Sequence, residues 1–126
     1  MAAIADSSVL VAAFHVKDSL HEQGVAALAD TQKPVLVPDY VAIETAGVLA
    51  LRAHDEIAKE FIRILLEGGD LQLLRLPYDH FYNTAAYFSE TKLRLSFVDC
   101  SLVVLSRDCD ILTFDKVLAK AIQVEK

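Results

Sequence analysis

Cysteine is scarce: Cys100 and Cys109 are the only two, and neither sits in a CxxC pair. This excludes a disulfide framework and suits a cytoplasmic protein in which the thiols are small packing residues. The histidines, His15, His21, His54 and His80, form no HxxxH or HExxH spacing. A zinc site is therefore not expected, and they read as ordinary helix or loop residues. No apolar run reaches the ~18 residues of a membrane-spanning helix, so no membrane partner is expected. The opening "MAAIADSSVLVAAF" lacks the basic start and cleavage-type end of a secretory signal, and Asp6 interrupts it. Repeats, low-complexity tracts and Pro/Gly-rich linkers are missing. So is a basic excess: the formal net charge is -6. Charge alone disfavours nucleic acid, because phosphate contacts need Lys and Arg.

Apolar residues, by contrast, are abundant. They make up 54% of the chain, above the usual ~45–50%. A chain of 126 residues suggests one domain, residues 1–126. Apolar content beyond what such a core buries predicts a homodimer, covering the aromatic-rich stretch "DHFYNTAAYF" and the region of Tyr40.

Short apolar strands alternate with helical segments. Strands are expected at Met1–Ala5, Val35–Val37, Leu71–Leu76 and Ile111–Thr113, with a last one at Ile122–Val124. Helices are expected at Ser8–Phe14, Ser19–Asp30, from Pro38 past Leu51, at Asp55–Leu66, at Asp79–Thr91, from Ser96 to about Arg107, and briefly after Asp115. "GGD" stops the fourth helix. This alternation predicts an α/β fold with a mainly parallel central sheet. Parallel strands joined by right-handed crossovers place their C-terminal ends on one edge, where sites form.

Several carboxylates fall at that edge. Asp6 ends the first strand, and Asp115 follows the strand ending at Thr113; each would cap a helix or belong to a site. Asp99 stands three residues after Ser96, at capping-box spacing. Glu44 lies on a helix whose other residues, Val41, Val48 and Leu51 on one face and Ile43, Gly47 and Leu49 elsewhere, are apolar. It is therefore expected to be partly buried, with a partner or a metal. Asp39, Asp55 and Asp79 read as capping residues. Carboxylates converging without a cation repel, by about 4 kcal/mol for one pair at ~4 Å and an effective dielectric of about 20. An oxygen-rich site of this kind suits Mg²⁺ or Mn²⁺. Thr113 would then orient a carboxylate, a water or a phosphate.

"IADSSVLVAAF", "VPDYVAIETAGVL", "LSFVDCSLVVLS" and "ILTFDKVLAKA" resemble, in order and spacing, the motifs of PIN domains. The nearest flavour is the VapC-type toxin of prokaryotic toxin–antitoxin pairs, and the resemblance covers almost the whole chain. It implies a three-layer α/β/α fold and one metal site built from Asp6, Glu44, Asp99 and Asp115, with Ser7, Ser8 and Thr113 as hydroxyl helpers. It implies a metal-dependent endoribonuclease using Mg²⁺ or Mn²⁺, with RNA as substrate and a cognate antitoxin that blocks the acidic pocket. The metal answers the charge objection, because it brings positive charge to the phosphate. Lys92, Arg94 and Lys116 lie near the motifs and would guide flanking RNA.

Other acidic α/β domains fit less well. A haloacid-dehalogenase-type phosphatase wants D-x-D after its first strand, and Ser8 stands there. A response-regulator receiver wants an acidic pair, and Asp6 has no acidic neighbour. A non-catalytic PIN-fold interaction module would be favoured by loss of an acid, and none is lost. A housekeeping RNA-processing enzyme stays open beside the toxin.

Overall fold

The sheet is built around Ala3–Ala5 (β1), whose three side chains are all buried, as expected for a strand covered on both faces. The computed structural model describes residues 2–126. Three more strands follow: Val35–Pro38 (β2), Leu71–Leu74 (β3) and Asp110–Leu112 (β4). Every pairing is parallel and the order is β3-β2-β1-β4. The register sets Ala5 opposite Leu112.

Among the described residues, seven helices surround the sheet. They are Ser7–Phe14 (α1), His21–Ala29 (α2), Asp39–Arg52 (α3), Asp55–Glu67 (α4), Tyr78–Glu90 (α5), Phe97–Leu105 (α6) and Lys116–Glu125 (α7). Helix α1 packs on α2 and α3, and α3 on α4; α5 packs on α6, and α6 on α7. Right-handed crossovers from β1 to β2 to β3 put α1–α4 on one face, and the return from β3 to β4 puts α5 and α6 on the other. The result is a three-layer α/β/α fold. Ile4, Leu10, Val35, Phe61, Leu102 and Leu118 are among the side chains fully buried between the layers. Strand β1 proceeds towards β2 on one side while β4 joins it on the other. The sheet therefore reverses its order between β1 and β4, and the crevice at their C-terminal ends is where such sheets bind ligands.

Some local expectations are revised. Ile122–Val124 is not a strand: it lies in α7, where Leu118 and Ala121 are buried and Ile122 packs against the core at helical spacing. Strand β3 ends at Leu74, not Leu76, and α2 begins at His21, not Ser19. Pro38, His54 and Pro77 occupy the N-cap positions of α3, α4 and α5. Asp39, Asp55 and Asp79 instead sit in the first turns, where the helix dipole favours negative charge. His80 is more than an ordinary helix residue. It is buried, with Nε2 at 2.7 Å from Ser101 Oγ and 3.2 Å from Thr84 Oγ1. Burial pushes its pKa down, so a neutral ring ties α5 to α6. Gly68, at φ 72°, ends α4 in the left-handed conformation that glycine adopts without strain.

Gly24 fixes how closely α2 approaches α1, the helix that carries Ser7 and Ser8. A Cβ there would lie 2.8 Å from Ala13 N and 2.9 Å from Ala12 Cβ. Gly→Ala inside a helix ordinarily stabilises by about 1 kcal/mol. Here the overlap falls on backbone that cannot yield cheaply, at an overpacking cost of roughly 1–3 kcal/mol. Gly24→Ala is therefore expected to lower the melting temperature; an unchanged or raised one in a thermal melt would refute the close contact.

Candidate metal and nuclease site

Asp6 leaves β1 as the N-cap of α1 and is 4% exposed. Its backbone N–H donates to Leu112 O at 2.9 Å, extending the β1–β4 pairing by one step. Its Oδ1 accepts the Ser7 N–H at 2.8 Å. Its Oδ2 accepts two hydroxyls, Ser8 Oγ at 2.9 Å and Thr113 Oγ1 at 2.8 Å. Each hydroxyl in turn accepts a backbone N–H from the turn after β4: Ser8 Oγ from Phe114 at 2.9 Å, and Thr113 Oγ1 from Asp115 at 3.0 Å. One buried carboxylate thus sets the conformation of the β4–α7 turn through two relays.

That turn presents Asp115, exposed, whose Oδ1 caps α7 by accepting Val117 N–H at 2.9 Å and Leu118 N–H at 3.1 Å. Asp99 lies in the first turn of α6 and completes a capping box with Ser96: Asp99 N–H donates to Ser96 Oγ at 3.0 Å and Ser96 N–H to Asp99 Oδ2 at 3.4 Å. Burial pushes the Asp99 carboxyl above the usual carboxylate range. The bonds from Ser96 oppose that rise, and the negative charges of Asp6 and Asp115 add to it. Asp6, Asp99 and Asp115 therefore share one electrostatic neighbourhood.

Glu44 departs from expectation. It is exposed, because α3 turns Val41, Ala42, Thr45 and Leu49 into the core, not the stripe through Val41, Glu44 and Leu51. Its Oε1 instead accepts Ser7 Oγ at 2.6 Å, which ties it to the start of α1. Lys116 is exposed beside Asp115 on the first turn of α7. Lys92 and Arg94 are exposed on the connection between α5 and α6. Ser7, Ser8, Glu44 and Asp115 line one groove of about 450 Å³, and none of these three cations does. Arg52, Asp18 and Phe114 also line it, and sequence reasoning passed over all three. The signal for Arg52 was its place eight residues after Glu44, on the same helical stripe.

Among the described residues, no three acid, histidine or cysteine side chains stand close enough to enclose a metal ion as placed. The donor set nonetheless suits a hard cation. Among the described residues none of the four acids is in an ion pair. Each of Glu44, Asp99 and Asp115 keeps one carboxylate oxygen outside the hydrogen bonds given above. Oxygen-only, anionic and mutually repelling donors are what Mg²⁺ or Mn²⁺ prefers.

A sequence profile of the PIN domain matches residues 3–122. The chain is a PIN domain. No curated protein sequence matches it. Among solved structures, this PIN domain is similar to VapC20 of Mycobacterium tuberculosis, described as a sarcin-ricin-loop-cleaving toxin. The two share 18% identity, the match covers 95% of each chain, and the TM-score is 0.86. The fold is thus that of VapC-type PIN proteins. No helix among the described residues is long and apolar enough to cross a membrane.

Proposed function

We propose that this PIN domain is a metal-dependent endoribonuclease, the toxin of a type II toxin–antitoxin pair. The observation that carries the reading is Asp6, buried at the β1–β4 switch point and hydrogen-bonded so as to present Asp115, with the charge of Asp99 in reach and, among the described residues, no ion pair to any of these acids. Asp6, Asp99 and Asp115, with Glu44, would hold Mg²⁺ or Mn²⁺. When bound, the ion supplies positive charge to the phosphodiester and acidifies the attacking water. The chain's own groups do the positioning. Ser7 orients Glu44, Thr113 and Ser8 hold the turn, and the groove beside them receives RNA.

The acidic groove would also accept a cationic segment of a cognate antitoxin, since an Arg fork binds carboxylates bidentately. A cytoplasmic location fits two thiols that burial keeps protonated. The test is incubation of the purified protein with cellular RNA, with Mg²⁺ or Mn²⁺ and with EDTA. Cleavage only with the ion supports the reading, and none under either condition refutes it. Suppression by the product of a short adjacent reading frame supports the toxin assignment; without it, the role becomes RNA processing.

A homodimer belongs to the same reading. Ile43 on α3 is 73% exposed, and Tyr78, Phe81, Tyr82 and Phe88 on α5 are all exposed. Tyr40, Ile43, Phe81 and Phe97 line an apolar hollow of about 320 Å³ beside Glu44. A two-fold contact over this face would cover the surplus. Light scattering at micromolar concentration is expected to give twice the chain mass for the parent and a monomer for Phe81→Glu. A monomeric parent would rule the dimer out.

A further inference from the structure

From the groove beside the acids we infer that Arg52 and Phe114 form a binding site for single-stranded RNA flanking the cleaved bond, Arg52 holding a phosphate and Phe114 stacking on a base. This inference rests on the nuclease reading above. Glu44, Val48 and Arg52 recur every four residues on α3 and all line the groove, so Arg52 stands about 12 Å along the helix from Glu44 at 1.5 Å per residue. A cation in the last turn of a helix is explained by the helix dipole alone. Its place in the acid-lined groove is not. Arg52 is exposed, and the ion pairs among the described residues do not include it. Its guanidinium therefore keeps its planar set of donors for a phosphate.

Phe114 supplies the second element. Its neighbours in the chain, Leu112 and Ile111, pack against the core, whereas Phe114 is half-buried and lines the groove next to Asp115. Its backbone is held by Ser8 Oγ, so the residue is fixed by the same relay that sets the acids. An aromatic side chain and a cation lining one groove, together with apolar Val48 and Leu20, are the elements that bind single strands by stacking and phosphate contact. A duplex would not offer an unstacked base to it. Asp18 lines the same groove, but its Oδ1 accepts the Leu20 N–H at 2.8 Å, shaping the loop that walls the groove. The spacing along α3 then gives a polarity: Glu44 marks the scissile phosphate, and Arg52, about 12 Å further along the helix, a neighbouring one.

The test uses an unstructured, fluorescently labelled RNA oligonucleotide with Mg²⁺. Cleavage kinetics are measured on the parent background and binding on an Asp99→Asn background. Arg52→Ala is expected to raise KM and weaken binding roughly ten-fold, with kcat little changed. The salt dependence of log K should become shallower by about 0.7, one phosphate contact on a single strand. Arg52→Lys should restore that slope. Phe114→Leu should weaken binding and leave the slope as it was, and Phe114→Tyr should retain affinity. Lys120→Ala, which removes an exposed charge on α7, should change neither quantity. Cleavage by the parent together with unchanged KM and salt slope in Arg52→Ala would overturn the groove assignment and leave the nuclease reading intact. Arg52-dependent RNA binding without cleavage by the parent would do the reverse.

Discussion

Asp99→Asn is expected to abolish RNA cleavage without weakening the fold. The loss should be roughly 10²–10³-fold or more, the size seen when one preorganised electrostatic contact to a transition state is removed. Asn keeps the shape of Asp and can still accept the long Ser96 N–H bond, so the capping box survives. Removing the charge also removes a penalty. The Asp99 carboxyl is pushed above the usual range, by burial first and by Asp6 and Asp115 next. A carboxyl whose pKa is raised on folding contributes stability that is present at acid pH and lost as the pH rises through the folded value. In EDTA, the melting temperature of Asp99→Asn should therefore move upward relative to the parent as the pH is taken from below the carboxylate range to neutrality. Full cleavage by the variant would refute the site. A neutral-pH melt well below that of the parent would refute the electrostatic account.

Asp6→Asn should lose activity to a similar extent but also lose stability. As carboxylates of one expected metal site, the two residues would be alike on replacement by Asn, losing activity while the fold survives. The structure separates them. Asp6 accepts three hydrogen bonds, one from an N–H on Oδ1 and two from hydroxyls on Oδ2, while buried. An amide has one acceptor and one donor end. Either orientation of the introduced amide points N–H groups at a donor: the Ser7 N–H in one case, the Ser8 and Thr113 hydroxyls in the other. Leaving buried polar groups unpaired costs about 1–3 kcal/mol. The hydroxyls can rotate to recover part of this, but only by giving up the relay that holds Asp115. A thermal melt beside a cleavage assay checks both halves; a parent-like melt would show that the three bonds contribute little.

Much of the fold was legible because the strands are short, apolar and separated by helix-period segments, and because Asp6, Asp99 and Asp115 each follow a recognisable boundary. What escaped has physical causes. Helix α3 is apolar on nearly every face, so periodicity could not say whether Leu49 or Leu51 points inward. The choice of Leu49 is what leaves Glu44 at the surface. Ile122 and Val124 favour strands intrinsically, yet Leu118 and Ala121 needed burial at helical spacing, and packing overrode propensity. The relay from Asp6 to the β4–α7 turn could not be read at all, because it joins residues 107 apart in the chain.

That separation has a consequence in time. Strand β1 is made first, and β2 and β3 are both synthesised before any residue of β4 exists. The pairing of β1 with β4, and with it the Asp6–Thr113 bond, waits until residue 113 has been added. At ~5–20 residues per second the intervening 107 residues take about 5–20 s to synthesise. Throughout that interval the nascent chain carries Asp6, and after its first third Glu44 as well, but lacks Thr113 and Asp115. A site organised in this way is complete only after Asp115 has been added, almost at the end of the chain.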